Sequence, residues 1–386
     1  MGISVLLVST ATRWFGTARM PRVLAHAGFD VALLAPRGSL AEKSRFVGRV
    51  GHLPDSATPK DWIYAFAATV KATAPRVVIP CDDRSFRLLD LVAESPPDDM
   101  ASALQLELGA LIRESLGDPR YYATSIEKTL LPPAARALGI RVPEHAIVPD
   151  FAGADAFAAA HGYPIVLKRN DSTAGDGVAI AGSRDALQRA FGVLAKPGPL
   201  DPAGASMWLV QQHIRGHVCY ENVAAWEGRR LAGFAVDRRV EHADVKGPAA
   251  VIRWFHSPEL RDISERLISG FGMSGLFATE SIVDERTGHA YLIEINRRLT
   301  LGMHVGSRIG VDLGAALYAA LAGTPPTSRS DPSPGEEGIG VHFPQEWLRD
   351  PESRYLRDYP VDIPWDDPDL LEAMVEMANA SSRVRE

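Results

Sequence analysis

The sequence predicts a multidomain protein of α/β and α+β class, with a parallel α/β domain first and a two-part domain of hairpins after it. Three observations carry this expectation. The chain has 386 residues, more than one compact core organises. Its first third alternates short apolar runs with helical patterns, the signature of a parallel sheet with helices on its faces. Farther on, strands come in pairs joined by turns, as in "YPIVLKRNDSTAGDGVAIAGS" (163–183) and "ESIVDERTGHAYLIEIN" (280–296).

Each element has its own local reason. "ISVLLVS" (3–9) is a buried strand. Thr17 to Gly28 has helical spacing and stops at a glycine. "DVALLAP" (30–36) is a second strand, "DWIYAFAATVKATAP" (61–75) a helix stopped by Pro75, and "RVVIPCDD" (76–83) a third strand. Ligands of such sheets bind beyond the carboxyl ends of the strands, and Thr10, Arg13 and Cys81 to Asp83 occupy such ends. A second unit starts near residue 121. "SIEKTLLPPAARALGIRVPEH" is a helix up to Gly139 and then extended chain. The strand, loop and strand of 163–183 follow, then a helix around 184–195 and a loop rich in proline and glycine at 196–206. Two long strands come next, over 207–214 and from Val218 to Val240, the second broken by "EGRR". "TPPTSRSDPSPGEEG" (324–338) is the clearest linker. The expected domains are therefore 1–120, 121–206 and 207–323, followed by a linker and tail over 324–386. No internal repeat stands out at any fixed period.

Composition narrows the function. Hydrophobic content of 46% and charged content of 23% belong to an ordinary globular protein. A net charge of −7 argues against a surface that holds nucleic acid, while leaving room for a local basic pocket for phosphates. The two cysteines, Cys81 and Cys219, lie far apart in apolar runs. They read as buried hydrophobes in a reducing compartment, not as a disulfide. The opening "MGISVLLVST" lacks a basic leader and reads as a first strand. No apolar run approaches the roughly 20 residues of a membrane helix. The expected location is the cytoplasm, without membrane or nucleic-acid partners; a homodimer is the default assembly.

Two stretches carry chemistry. In "KRNDSTAGDG", Lys168 ends a strand and Gly175 and Gly177 sit in a loop of small residues. Such a loop lets backbone N–H groups approach phosphate oxygens, and the lysine adds a point charge. An ordinary tight hairpin turn is the alternative. In the hairpin 280–298, Glu294 and Asn296 point to one face, two residues apart. If Asp284 pairs near Ala290, Glu280 pairs near Glu294. Facing carboxylates repel unless a cation or proton lies between them, and Mg²⁺ is the natural guest because it shares oxygen ligands with phosphates. A solvated face with incidental acids is the alternative, opposed by the apolar flanks "LFAT" and "YLI". "VQQHI" (210–214) is an extended connector of the kind whose main chain holds adenine. Basic residues, among them Lys128, Lys168, Arg238, Arg239, Arg297 and Arg298, are able to focus a positive field in one cleft. The histidines have no zinc spacing, which excludes a zinc enzyme, and no nucleophilic hydrolase motif is present.

In order, these pieces resemble the ATP-grasp superfamily, whose members include biotin carboxylase, D-alanine–D-alanine ligase and glutathione synthetase. The resemblance covers a pre-ATP-grasp domain at about 1–120 and the ATP-grasp domains at about 121–323. Its most specific piece is "YLIEINRR", similar to the family's E-I-N-P-R. The resemblance implies an ADP-forming carboxylate–amine ligase using ATP and Mg²⁺, with a small carboxylate and an amine, amino-acid or peptide-like, as substrates. Lys128 and Lys168 then resemble the lysines that hold the ATP phosphates, and residues 172–177 (with Ser172, Gly175 and Gly177) the loop that closes over them. Gln211, Gln212, His213 and Ile214 resemble the adenine hinge. Glu280, Glu294 and Asn296 resemble the Mg²⁺ ligands, and Arg298 the arginine that steadies an acyl phosphate. Either Arg238 or Arg239 assists, since strand alternation turns only one inward. Arg297 departs from the family's proline. The family's ribose acid falls on Val218, and Glu221 is the nearest substitute. Two other readings stay open: a nucleotide-binding module without turnover, and a kinase that releases a phosphorylated product. Substrate choice is expected from the first domain, from 243–255, and from residues after Arg298 such as His304 and Arg308.

Overall fold

The computed structural model describes residues 2–54, 58–94, 96–97, 99–170, 177–195, 207–241 and 249–383, with backbone alone at Glu241 and 381–383. Two compact units emerge. Unit 1 comprises Met1–Pro119, Tyr220–Thr279 and Asn296–Glu386; unit 2 comprises Arg120–Cys219 and Glu280–Ile295.

Unit 1 begins with the expected parallel sheet. Strands β1 (Ile3–Val8), β2 (Phe29–Pro36), β3 (Arg49–Leu53) and β4 (Val77–Pro80) lie in the order β3-β2-β1-β4. All three pairings are parallel. Val5 to Val8 and Leu33 to Ala35 have no exposed surface, as strands covered on both faces require. Helices α1 (Phe15–His26), α2 (Pro59–Thr73), α3 (Asp83–Glu94) and α4 (Ser102–Leu116) connect and cover them. A Thr58–Asp61 capping box with Pro59 opens α2. The strand expected over 76–83 is β4, which ends at Pro80, short of Asp83. Asp82 instead caps α3, its Oδ1 accepting the Ser85 N–H at 2.8 Å. The sequence reading also passed over β3, α3 and α4.

Unit 2 centres on four antiparallel strands, β5 (His145–Val148), β6 (Ile165–Arg169), β7 (Val178–Ala181) and β8 (Trp208–Gln212), ordered β5-β8-β6-β7. The helices Phe151–His161 and Arg184–Leu194 pack Phe157, Leu187 and Phe191 on Ile165, Leu167 and Trp208. Each fully buried large apolar side chain contributes about 1.5–3 kcal/mol.

Strands β9 (Gly216–Trp226), β10 (Arg229–Glu241), β11 (Ala249–Phe255), β12 (Gly275–Asp284), β13 (Ala290–Asn296) and β14 (Glu337–Val341) form a sheet in the order β13-β12-β9-β10-β11-β14. Strands β9, β12 and β13 carry the chain from one unit to the other. The stretch 324–338, expected to be a linker, is mostly exposed but is bonded to unit 1. Gly233 donates its N–H to Ser330 O, Arg329 pairs with Glu336, and Asp331 pairs with Arg230 and Arg261. The remainder adds β14 antiparallel to β11. Composition alone does not register these bonds, so a proline-rich stretch reads as a spacer. Cys81 and Cys219 are buried and form no disulfide. Among the described residues, no helix is long and apolar enough to cross a membrane.

Candidate ATP and metal site

Lys168 lies in β6, where neighbouring Leu167 and Arg169 are also buried, and keeps only 6% of its surface. Burial pushes its ammonium pKa below the usual lysine value; Glu294 and Glu280 oppose that shift and Lys128 adds to it. These four side chains therefore share one electrostatic neighbourhood in unit 2. Lys128, 7% exposed, has its Nζ 3.8 Å from Glu294 Oε1.

Asn170, just past β6, fixes this arrangement. Its Oδ1 accepts from the Thr129 N–H and the Thr129 hydroxyl, each at 3.0 Å. Its Nδ2 donates to Glu127 at 3.1 Å. The segment carrying Lys128 is thus tied to the end of the strand carrying Lys168. The sequence reading did not single out Asn170; the only signal was an amide next to a strand lysine.

Register Lys168↔Val178 makes β6 and β7 a hairpin, and the Arg169 N–H donates to Gly177 O at 2.8 Å. Gly177 is buried, while Ser172 and Gly175 lie outside the described residues. The expected hinge divides. Gln211 and Gln212 belong to the β8 ladder, Gln212 donating its N–H to Glu144 O at 2.8 Å. His213 and Ile214 lie past the strand, with Ile214 9% exposed.

Glu280 and Glu294 stand on neighbouring strands β12 and β13. Both are half-buried, Glu294 with 37% of its side chain exposed, among fully covered Ala278, Leu292 and Ile295. The Asp284 N–H donates to His289 O, closing the turn between them. Two accessible carboxylates beside two buried lysines fit a hard divalent cation shared with phosphates: the acids would hold the ion and the lysines the anion.

Asn296, Arg297 and Arg298 follow in unit 1. Asn296 is 6% exposed. Arg297 is a core residue: its guanidinium lies over Phe86 and Phe277 and donates to Leu116 O at 2.5 Å. Arg298 donates Nε to Asp83 at 3.0 Å and lies over Trp14. The Leu299 N–H donates to Pro80 O, and Trp14 donates to Leu299 O. Arg298 therefore sits at the carboxyl ends of the first sheet. There Asp82 accepts from Ser9 Oγ at 3.0 Å, from the Thr10 N–H at 2.6 Å and from Thr10 Oγ1 at 2.8 Å. In that sheet, β1 lies between β2 and β4, the kind of place where open α/β sheets bind ligands.

Three expected residues are engaged elsewhere. Glu221 is 2% exposed and accepts two bonds from Arg230, the shorter at 2.6 Å. Burial raises its carboxyl pKa, and that cation only partly offsets the rise. A carboxylate so enclosed does not offer itself to a ribose. A bulge at Arg238–Val240 interrupts the simple alternation expected of β10. Arg238 packs on Tyr220, and exposed Arg239 pairs with Asp237 at 3.1 Å.

Over 195 residues, 48% of this chain, the sequence is 28% identical to the carbamoyl phosphate synthase large chain of Hyperthermus butylicus and spans 17% of that protein's length. The fold is similar to Campylobacter jejuni biotin carboxylase, solved as a β,γ-ATP complex, at TM-score 0.66 and 13% identity over 88% of this chain and 75% of that one. It is also similar to the biotin carboxylase domain dimer of Hydrogenobacter thermophilus 2-oxoglutarate carboxylase, solved with MgADP and bicarbonate, at TM-score 0.64 and 17% identity, covering 88% and 74%. Residues 128–323, half of the chain, match the carbamoyl-phosphate synthase L chain ATP binding domain. With this match over Lys128, Lys168, Glu280 and Glu294, the chain belongs to that family of ATP-grasp ATP binding domains.

Proposed function

We propose that the protein is an ADP-forming ligase that activates a carboxylate with ATP and joins it to an amine. The observation that carries this reading is the set in unit 2: buried Lys128 and Lys168 beside half-buried Glu280 and Glu294. Two ammonium groups are costly to bury without anions. A bound triphosphate supplies those anions.

The reaction the site would run has two steps. A substrate carboxylate oxygen attacks the γ-phosphorus of ATP, giving an acyl phosphate and ADP. An amine nitrogen then attacks the acyl carbon; phosphate leaves and the nitrogen loses a proton. Lys128 and Lys168 stabilise the phosphoryl oxygens as charge spreads over them. Glu280 and Glu294 would hold Mg²⁺, which when bound would shield the phosphate charge. His213 and Ile214 line the adenine. Arg298, held by Asp83 and Trp14 in unit 1, has its acyl-phosphate role from the family resemblance alone. Arg238 and Arg239 are left out of this assignment because Tyr220 and Asp237 engage them, and Glu221 because Arg230 encloses it. Packing accounts for Arg297, so its departure from proline does not argue for a module without turnover.

The test is a coupled assay for ADP and phosphate with ATP, Mg²⁺ and pools of amino acids and short peptides. Stoichiometric ADP and phosphate with a new amide by mass spectrometry is the expected result. A phosphorylated product without amide would make the protein a kinase. No ADP from any pool, with no ATP binding by calorimetry, would defeat the reading.

A further inference from the structure

Unit 1 holds a second gathering of ligand atoms, apart from the residues assigned to the nucleotide. His304 lies in the 3-10 helix Met303–Arg308, His342 directly after β14, and Asp362 in the C-terminal segment. All three are buried, at 8%, 1% and 5% exposure. Asp362 Oδ2 lies 2.6 Å from His304 Nε2 and 3.1 Å from His342 Nδ1. One donor atom from each residue lies within 4.8 Å of the other two. No sequence spacing foretells this, because strand β14 and the loop after it bring the three segments together.

The carboxylate is oriented. Its Oδ1 accepts from Arg19 at 3.2 Å and from the Phe343 N–H, which turns Oδ2 toward the two imidazoles. As a hydrogen-bonded hub, Asp362 Oδ2 accepts from both imidazoles with its two lone pairs. His342 Nε2 lies beside Gly302 and has no partner among the described residues. Gly302 itself has φ +108° at the entry to the 3-10 helix, a conformation that side chains other than hydrogen resist. A cation placed among the three facing atoms uses each of them as a lone-pair donor.

The chemistry of the set points to the ion. Two imidazoles and one carboxylate suit a borderline divalent transition ion such as Zn²⁺, whereas Mg²⁺ prefers oxygen alone. A cavity of about 280 Å³, lined by His304 and Asp362 together with Arg19, Arg22, Arg308 and Trp365, reaches two of the three residues. Arg19 and the Phe343 N–H are the outer bonds that a ligating carboxylate generally needs. Arg19 sits on the far oxygen, so its charge lowers the affinity without taking the ion's position.

We propose that His304, His342 and Asp362 form a site for a divalent transition ion, with Zn²⁺ as the fitting example. The ion joins the C-terminal segment to the 3-10 helix that follows Arg298, and it is distinct from the Mg²⁺ of the nucleotide.

The test uses the full chain without an affinity tag, stripped by chelator. Zn²⁺ is titrated by calorimetry, and Co²⁺ by its visible d–d absorption. The wild type is expected to take up one equivalent of Zn²⁺, with a raised Tm and Co²⁺ bands of a tetrahedral site. His342→Gln and Asp362→Asn should each weaken Zn²⁺ binding by at least about tenfold. A far-UV circular dichroism spectrum and cooperative thermal unfolding like those of the chelator-stripped wild type show that a variant is folded. X-ray absorption of Zn²⁺-loaded wild type gives a reading that needs no variant: scattering from two imidazoles supports the site. A wild type that binds no Zn²⁺, binding that survives both substitutions in folded protein, or a spectrum without imidazole scattering would overturn it. Failure of the ligase assay would leave each of these outcomes unchanged.

Discussion

Replacing Lys168 by methionine should move stability and nucleotide affinity in opposite directions. The lysine is 6% exposed, and its burial outweighs the pull of Glu294 and Glu280, since its pKa falls below the lysine norm. The charged form therefore costs the empty protein stability. Methionine keeps the volume and removes the charge; Glu294 loses little, with 37% of its side chain exposed and Lys128 still 3.8 Å away. Removing a poorly compensated buried charge is worth about 1 kcal/mol, or roughly 2 °C in Tm for a chain of this size. The same substitution deletes a charge-assisted bond to phosphate, worth about 1.5–3 kcal/mol, which weakens ATP binding about 10- to 150-fold. Linkage adds a second signature. With the folded pKa below 10.5, the unfolded chain binds more protons between the two values, so wild-type stability rises with pH there. That slope should vanish in Lys168→Met. Scanning calorimetry without nucleotide and titration calorimetry with MgATP measure both effects. A lower Tm together with ATP affinity within about twofold of the wild type would refute the reasoning.

Other substitutions probe the supporting structure. Asn170→Ala removes three bonds to Glu127 and Thr129. It should cost about 2 kcal/mol in thermal unfolding and raise the KM for ATP, because Lys128 is no longer held; an unchanged KM would remove Asn170 as a positioning residue. Arg230→Met leaves buried Glu221 without its cation and half-buried Asp331 with Arg261 alone, an expected loss of about 3–5 kcal/mol by denaturant unfolding. Because burial already raises the Glu221 pKa, protonation should shrink that loss as pH falls, and Glu221→Gln in the same chain should recover part of it. Arg297→Met should lower stability through the lost Leu116 bond and ring contacts. It should leave the KM for ATP near the wild-type value, which steady-state kinetics checks.

The local patterns that announced the fold were those with a single physical meaning. Fully apolar runs such as Val5 to Val8 fit only a covered strand, and "YLIEIN" reads directly as a half-buried strand with one acid on it. Lys128, Lys168, Glu280 and Glu294 were legible because their order along the chain matched one chemistry. What stayed hidden depends on distant partners. Glu221 has the composition of a ligand, but Arg230 encloses it, and that pairing is set by the fold of β9 against β10. Asp82 and Asp83 read as the end of a strand; the Ser85 N–H makes the first a helix cap, and Arg298 claims the second. The stretch 324–338 has the composition of a linker, while its carbonyls and carboxylates bond to Gly233, Arg230 and Arg261. His304, His342 and Asp362 have no sequence spacing that would link them.

The proposed ligase needs Glu280 and Glu294 to hold a divalent cation and Lys128 and Lys168 to hold a triphosphate. Titration calorimetry of ATP at a series of Mg²⁺ concentrations measures this directly. ATP should bind the wild type more tightly as Mg²⁺ rises, and the Glu280→Gln/Glu294→Gln variant should lose that dependence. Equal ATP affinity with and without Mg²⁺ in the wild type, or a Mg²⁺ dependence untouched in the double variant, would contradict it.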